Sequence, residues 1–234
     1  MSILSVPSWV IPGTYVENLR FLENKKEIQG VELLFFLYDA ETERELDSEW
    51  EEILGFRERF VFAAHLPELL QPAHEELIGR LAPLAKHFII HPADNPEAQA
   101  RLLAEWTKQY GASFFVENTE TGLLETLLLH LEPDVGICMD TGHLLLDGQN
   151  PADFFARYRE RIGEIHLHSV DREQAAIDGK LPDHRRLKED EPWLLELLSR
   201  LKDFQGVINL EVFSWEEAEA GSKILEKIWQ GYSV

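Results

Sequence analysis

Six consecutive apolar segments of the chain end in a histidine, a glutamate or an aspartate. The residues at or just beyond these ends are His65, His91, Glu117, Asp140 with His143, His168 and Glu211. Imidazole and carboxylate ligands together suit Zn²⁺, Mn²⁺ or Fe²⁺ better than Ca²⁺ or Mg²⁺, whose sites consist mainly of oxygen. The pattern therefore predicts a divalent-metal site, with zinc as the first expectation and manganese or iron as alternatives.

The carboxylates among these residues follow runs apolar enough to be core. A carboxylate is seldom buried in such surroundings without a cation partner, which strengthens the prediction of metal. His166 and His168 stand two apart on one strand and so face the same way; we assign His168 as the ligand and His166 to a supporting layer. Asn118 and Asp171 are expected to orient ligands. The remaining candidates are interpreted as packing or surface residues: His74, His87, His130 and Cys138.

The elements that must position these side chains alternate regularly along the chain. Eight β-branched or aromatic runs predict strands at 3–6, 30–36, 60–65, 87–91, 113–117, 135–140, 163–168 and 206–213. Segments with helical spacing of apolar residues lie between them. Eight such units in 234 residues predict a single (β/α)8 TIM barrel over residues 1–234, which places the strand ends at one mouth. An open doubly wound sheet is the alternative, but no Gly-rich phosphate turn follows the first strand.

Three helix starts and one long connection can also be predicted. Asp47-Ser48, Asn95-Pro96 and Asn150-Pro151 each place a capping residue before a favourable first turn. The connection from Val170 to about Glu189 is long and polar for a link between strand and helix, so we expect it to be functional.

The net charge limits the partners. Lys and Arg number 22 against 43 acidic residues, a formal charge of −21. Binding to long nucleic acid depends on basic side chains that displace phosphate counterions, so nucleic acid is an unlikely partner. No run approaches the roughly 20 apolar residues of a membrane helix, and we expect a cytoplasmic protein acting on a small molecule. The oligomeric state stays open.

The chain resembles the xylose isomerase-like TIM barrel superfamily. Isomerases and epimerases of this group hold one metal with a Glu-Asp-His-Glu set, matched here by Glu117, Asp140, His168 and Glu211. The endonuclease IV branch, family 2 of the apurinic endonucleases, adds further histidines, matched by His65-Leu66-Pro67, His91-Pro92-Ala93 and Asp140-Thr141-Gly142-His143. That branch has a later Asp-x-His, whereas Asp183 and His184 are adjacent here.

The resemblance implies two or three ions. Glu117 would bridge two of them, one completed by His65 and His91. The second would be completed by Asp140, His168 and Glu211. His143 with Asp183 would hold a third, and His184 is a doubtful addition. By the same resemblance, Glu117, Glu211 and Asp140 are the expected catalytic residues.

A narrower resemblance lies at the start of the chain. Pro7-Ser8-Trp9-Val10-Ile11-Pro12, followed by Glu17-Asn18 and Val31-Glu32-Leu33, is similar to cobamide-remodelling phosphodiesterases. It implies hydrolysis of a phosphodiester in the nucleotide loop of a corrinoid. Residues expected to contact substrate are Trp9, Tyr15, Arg185, Arg186, Phe213 and Trp215.

Three other functions remain open at this point. A sugar or sugar-phosphate isomerase or epimerase would need one ion, and would have no use for His65, His91 and Asp183. An apurinic endonuclease is the second alternative. The third is a corrinoid- or metal-binding protein without turnover.

Overall fold

The computed structural model describes residues 2–119, 122–132 and 134–231. Eight parallel strands close into a barrel in sequence order, and β1 pairs with β8. They are β1 (Ile3–Pro7), β2 (Gly30–Leu34), β3 (Val61–His65), β4 (Ala85–Ile90), β5 (Ser113–Glu117), β6 (Gly136–Asp140), β7 (Ile162–His166) and β8 (Val207–Asn209). The predicted (β/α)8 barrel is confirmed, and each predicted strand run overlaps one observed strand.

The α-helices lie between and after the strands. They are α1 (Tyr15–Leu22), α2 (Ala40–Gly55), α3 (Glu75–Leu81), α4 (Pro96–Tyr110), α5 (Leu123–Leu128), α6 (Thr141–Leu146), α7 (Pro151–Tyr158), α8 (Arg172–Asp178), α9 (Pro192–Arg200) and α10 (Trp215–Gly231). Short 3₁₀ turns occupy Phe56–Glu58 and Pro72–His74. None of the helices in the described part of the chain is long and apolar enough to cross a membrane.

Two of the three predicted helix starts are confirmed. Asn95 and Asn150 cap α4 and α7 by accepting amide hydrogen bonds, and a proline occupies the first helical position of each. The prediction at Asp47-Ser48 is wrong, because both residues lie inside α2. The observed capping residue lies eight residues earlier, at Asp39, which accepts hydrogen bonds from the amides of Glu41 and Thr42.

The side chains of the sheet divide into an apolar outer layer and a polar interior. On β2, Val31 and Leu33 belong to the hydrophobic cluster between sheet and helices, whereas Glu32 between them reaches across the barrel. Barrel interiors are usually filled by branched apolar residues. A fully buried glutamate there indicates a specialised interior.

The long connection after β7 is folded over the mouth. It contains α8, and a backbone bridge joins Ser169 to Arg185. The Asp171 amide donates to the Pro182 carbonyl at 2.7 Å. These contacts bring His184 back toward the end of β7, where its amide donates to His168 Nδ1 at 2.9 Å.

Candidate metal centre

Strand ends supply most of the predicted ligands. The predicted ligands His65, Glu117 and Asp140 are the last residues of β3, β5 and β6, and His166, predicted as a supporting residue, is the last of β7. His91 and Glu211 lie one and two residues beyond β4 and β8, respectively. In a parallel barrel these positions face a single mouth, so residues far apart in sequence meet there.

Glu117 is surrounded by histidines and is 2% exposed. Its Oε2 lies 2.9 Å from His65 Nε2 and 3.2 Å from His91 Nε2. Its Oε1 lies 3.5 Å from His143 Nε2 and 3.8 Å from His166 Nδ1. Both oxygens of one carboxylate therefore face imidazoles from different strands and loops.

A second group lies around Glu211. His168 Nε2 is 2.9 Å from Asp140 Oδ2 and 3.5 Å from Glu211 Oε2. His184 Nδ1 is also 3.5 Å from Glu211 Oε2, and its ring stacks on that of His168 with centroids 4.4 Å apart. His184 has a positive φ of 50°, a conformation that costs a non-glycine residue about 1–3 kcal/mol and is typical of functional sites.

His166 lies between the two groups and is fully buried. Its Nδ1 is 3.2 Å from Glu211 Oε2 and 3.9 Å from Asp140 Oδ2. Its Nε2 is 3.0 Å from Glu32 Oε2. Within the described residues, neither His166 Nδ1 nor Glu211 Oε2 makes a hydrogen bond. Buried polar atoms are seldom left without a partner, so this pair fits a site for a cation.

The imidazoles keep the central carboxylates ionised. Burial alone would raise the pKa of Glu117, but the nearby histidines, His91 foremost, hold it well below its usual range. The pKa of Glu211 is lowered in the same way against burial, chiefly by His166 and His184. Metal ligation requires deprotonated carboxylates, which this electrostatic environment favours.

Among the described residues, four sets of three side chains have ligand atoms within 4.8 Å of one another. They are His65–Glu117–His166, Glu117–Asp140–His143, His168–His184–Glu211 and Glu32–His166–Glu211. The donor chemistry of these sets, nitrogen with carboxylate oxygen, suits zinc and similar cations. Asp183 belongs to none of the four, and its Oδ1 is buried without a hydrogen-bond partner in the described part of the chain.

The neighbours predicted to orient ligands have distinct positions. Asn118 exchanges two hydrogen bonds with the backbone of Asp140, at 2.8 and 2.9 Å, and so joins the ends of β5 and β6. Asp171 instead accepts from the Gln174 amide, capping α8, and from Lys188 Nζ at 3.0 Å. Asn118 therefore acts on a site residue, whereas these contacts of Asp171 stabilise the long connection.

The predicted substrate contacts separate into two sets. Arg185 forms two hydrogen bonds to Asp178, Tyr15 donates to the Leu34 carbonyl, and Trp215 packs on Phe21 and Lys25, so all three have structural partners. Trp9 is 59% exposed and Arg186 is exposed. Phe213 is partly exposed and its ring lies 4.9 Å from that of His184. This second set is the one available to a ligand.

Sequence reasoning missed several residues close to the centre. Glu32, Glu164 and Asn209 are fully buried polar side chains in the barrel interior, and Phe36 packs on His65 with centroids 4.2 Å apart. Burial, and then the adjacent Glu32 carboxylate, raise the pKa of Glu164 well above its usual range. A carboxylate between apolar neighbours, as in Val31-Glu32-Leu33, was the signal that could have identified Glu32.

Known proteins with similar sequences and folds are enzymes of several activities. The inosose dehydratase of Lacticaseibacillus casei is 40% identical over 65 residues, which is 27% of this chain and only 21% of the dehydratase. Among solved structures, the probable 3-DHS dehydratase AsbF of Bacillus anthracis has a TM-score of 0.72 at 15% identity, covering 97% of this chain and 99% of AsbF.

Two further structures represent other reactions on the same fold. The 3-keto-D-glucoside 4-epimerase YcjR of E. coli has a TM-score of 0.63 at 13% identity, covering 98% of this chain and all of YcjR. Endonuclease IV of Thermus thermophilus has a TM-score of 0.62 at 17% identity, covering 98% and 99% of the two chains. A family model also matches residues 73–228, and the chain belongs to the xylose isomerase-like TIM barrel family.

Proposed function

We propose that the chain is a metal-dependent phosphodiester hydrolase acting on a small, bulky substrate. The observation that carries this proposal is the convergence of His65 and His91 on Glu117, at 2.9 and 3.2 Å. A one-ion site built from Glu117, Asp140, a β7 histidine and Glu211 has no need of these two imidazoles. Their position supports at least a second ion.

In the proposed arrangement, Glu117 would contribute to the binding of both ions. His65 and His91 would complete one of them, while Asp140, His166 and Glu211 would hold the other. His143 and His184 are half-buried at the open side, where they would complete a further coordination sphere, with Asp183 as its carboxylate candidate.

In our proposal His166 is the ligand and His168 the supporting residue, the reverse of the assignment made from the sequence. His168 Nδ1 accepts the His184 amide hydrogen bond, so its Nε2 carries the proton and donates to Asp140. His168 would then orient a ligand instead of being one. His166 Nδ1 has no such partner among the described residues and faces Glu211, Glu117 and Asp140.

Bound divalent cations would activate water and stabilise the entering and leaving oxygens of a phosphodiester displacement. The side chains of the chain supply the geometry for this reaction. Glu117 and Glu211 hold fixed negative charge at the base of the mouth, and Asn118 and His168 keep Asp140 in place between them. Arg186 is an exposed cation of the long connection, and we assign to it the contact with substrate phosphate.

The nucleotide loop of a cobamide is the proposed substrate. The N-terminal segment from Pro7 to Pro12 supports it, as do the exposed rings of Trp9 and Phe213, which offer apolar surface to a large planar ligand. The net charge of −21 argues against duplex DNA and hence against the apurinic endonuclease alternative.

An isomerase or epimerase is the second candidate. The observation that favours it is the pair Glu117 and Glu211, whose carboxylates flank His166 Nδ1 and would suit proton transfer on a sugar held by one ion. The epimerase with a similar fold acts, by name, on a sugar derivative, a 3-keto-D-glucoside. For the hydrolase, our main candidate, we also propose a cytoplasmic location and two or three zinc ions per chain.

A combined assay separates these functions. Protein purified without chelator would be analysed for metal per chain and then tested with bis(p-nitrophenyl) phosphate, cobamides, ketoses and abasic DNA. Two or three ions with cobamide or phosphodiester cleavage supports the proposal. One ion with ketose epimerisation supports the second candidate, and tight binding of metal or corrinoid without turnover would leave a binding protein.

A further inference from the structure

Glu32 is the least expected charge in the barrel interior. It lies on β2, is fully buried, and reaches across the barrel to β7, where its Oε2 is 3.0 Å from His166 Nε2. Its Oε1 accepts from Asn209 Nδ2 at 3.1 Å on β8. A buried carboxylate is costly unless it is well hydrogen-bonded, and here each oxygen of Glu32 has a polar partner.

The contact with Glu32 determines which nitrogen of His166 faces the metal centre. An imidazole that donates from Nε2 to a carboxylate is left with its Nδ1 lone pair available. Nδ1 is the nitrogen that lies 3.2 Å from Glu211, 3.8 Å from Glu117 and 3.9 Å from Asp140. Carboxylate partners of this kind orient a ligating histidine and raise its basicity.

From this geometry we infer that Glu32 is a positioning residue that fixes the His166 tautomer and thereby sets the affinity of the centre for its cation. The inference rests on the proposed metal function and adds to it a role for a buried residue that does not itself bind the metal. Asn209 donates a hydrogen bond to the other oxygen of Glu32. This contact keeps the carboxylate oriented toward His166.

The test compares metal affinity in Glu32→Gln and Glu32→Ala with a matched variant, Glu164→Gln. Glu164 is a second fully buried glutamate of the interior, next to Glu32, and it makes no hydrogen bond to His166 within the described residues, so it controls for the loss of a buried carboxylate without loss of the His166 contact. Zinc affinity would be measured by competition with a chromophoric chelator, metal stoichiometry by elemental analysis, and folding by circular dichroism.

We expect Glu32→Ala to weaken zinc binding by about 10–100-fold with unchanged stoichiometry at saturation. Glu32→Gln should lose less, because its amide oxygen still accepts from Nε2, and Glu164→Gln should stay within about threefold of wild type. An affinity of Glu32→Gln and Glu32→Ala equal to wild type overturns the inference. Loss of a whole ion in Glu32→Gln also overturns it, because Glu32 would then be a ligand.

A measurement on the unmutated protein covers the case in which Glu32→Ala does not fold. In zinc-loaded protein, long-range ¹H–¹⁵N spectra should show the His166 proton on Nε2, with peaks assigned by their loss in His166→Asn. A proton on Nδ1 contradicts the inference while leaving the metal function standing. Absence of zinc binding by wild type would overturn the proposed function and this inference together.

Discussion

Gly142→Ala tests whether the turn after β6 is built around His168. A Cβ at position 142 would lie 2.0 Å from His168 Cε1 and 2.6 Å from Nδ1, whereas ordinary contacts begin at 3.4 Å. His168 is fully buried and is held by Asp140 and by the His184 amide, so it cannot move without losing these hydrogen bonds. Overpacking costs about 1–3 kcal/mol and each of the two hydrogen bonds about 1 kcal/mol, so we expect a loss of about 3–5 kcal/mol.

The assay is thermal unfolding of chelator-treated protein followed by circular dichroism. A domain of this size loses about 2–4 °C per kcal/mol, so Gly142→Ala should lower Tm by roughly 6–20 °C. Gly55→Ala is the matched control, because a Cβ there meets nothing within 4 Å. A Tm for Gly142→Ala within about 1 °C of the control would refute the close contact and the fixed position of His168.

The same geometry leads to four further predictions. Glu117→Gln should lower metal content and abolish turnover with the fold retained. Glu49 accepts a hydrogen bond from the Val16 amide, and the control variant Glu49→Gln should keep its full metal content, as measured by elemental analysis. His65→Ala and His91→Ala should each lose one ion while the site at Asp140, His166 and Glu211 stays occupied, and unchanged metal content in both would indicate a one-ion isomerase. The pKa values of Glu117 and Glu211 are lowered in the folded protein, so ionisation of these carboxyls stabilises the metal-free fold at pH values above about 4.5, their pKa in the unfolded chain. Below pH 5, Tm should therefore fall more steeply in the wild type than in the double variant Glu117→Gln/Glu211→Gln, and parallel curves of Tm against pH would contradict this. Abasic duplex DNA should be cleaved poorly at physiological salt and cobamides well, and the reverse order in a cleavage assay would mean that the acidic charge has been misinterpreted.

The barrel and the convergence of its strand ends could be predicted from the sequence because both follow from simple periodicity. Alternating strand and helix patterns place Glu117 and Asp140 at one mouth of the barrel, independently of the conformation of the loops. The choice between His166 and His168 could not be made in this way, because a spacing of two puts both on the same face. It depends on where β7 ends and on the return of His184, which is a tertiary contact.

Other features were hidden for related reasons. Asp39 and Asp47 are equally good capping residues by type, and only packing of α2 selects Asp39. Glu32 lies 134 residues from His166 in sequence, so no local pattern links them. Arginine is a residue type that often binds phosphate, but the fold of the long connection pairs Arg185 with Asp178.

The number and position of bound cations test the proposed centre of at least two metal ions most directly. Crystals of protein purified without chelator, measured on both sides of the zinc absorption edge, would locate each ion by anomalous scattering. We expect at least two ions, one held by His65, His91 and Glu117, and another by Glu117, Asp140, His166 and Glu211. A single ion at the second position, with His65 and His91 left without metal, would contradict it.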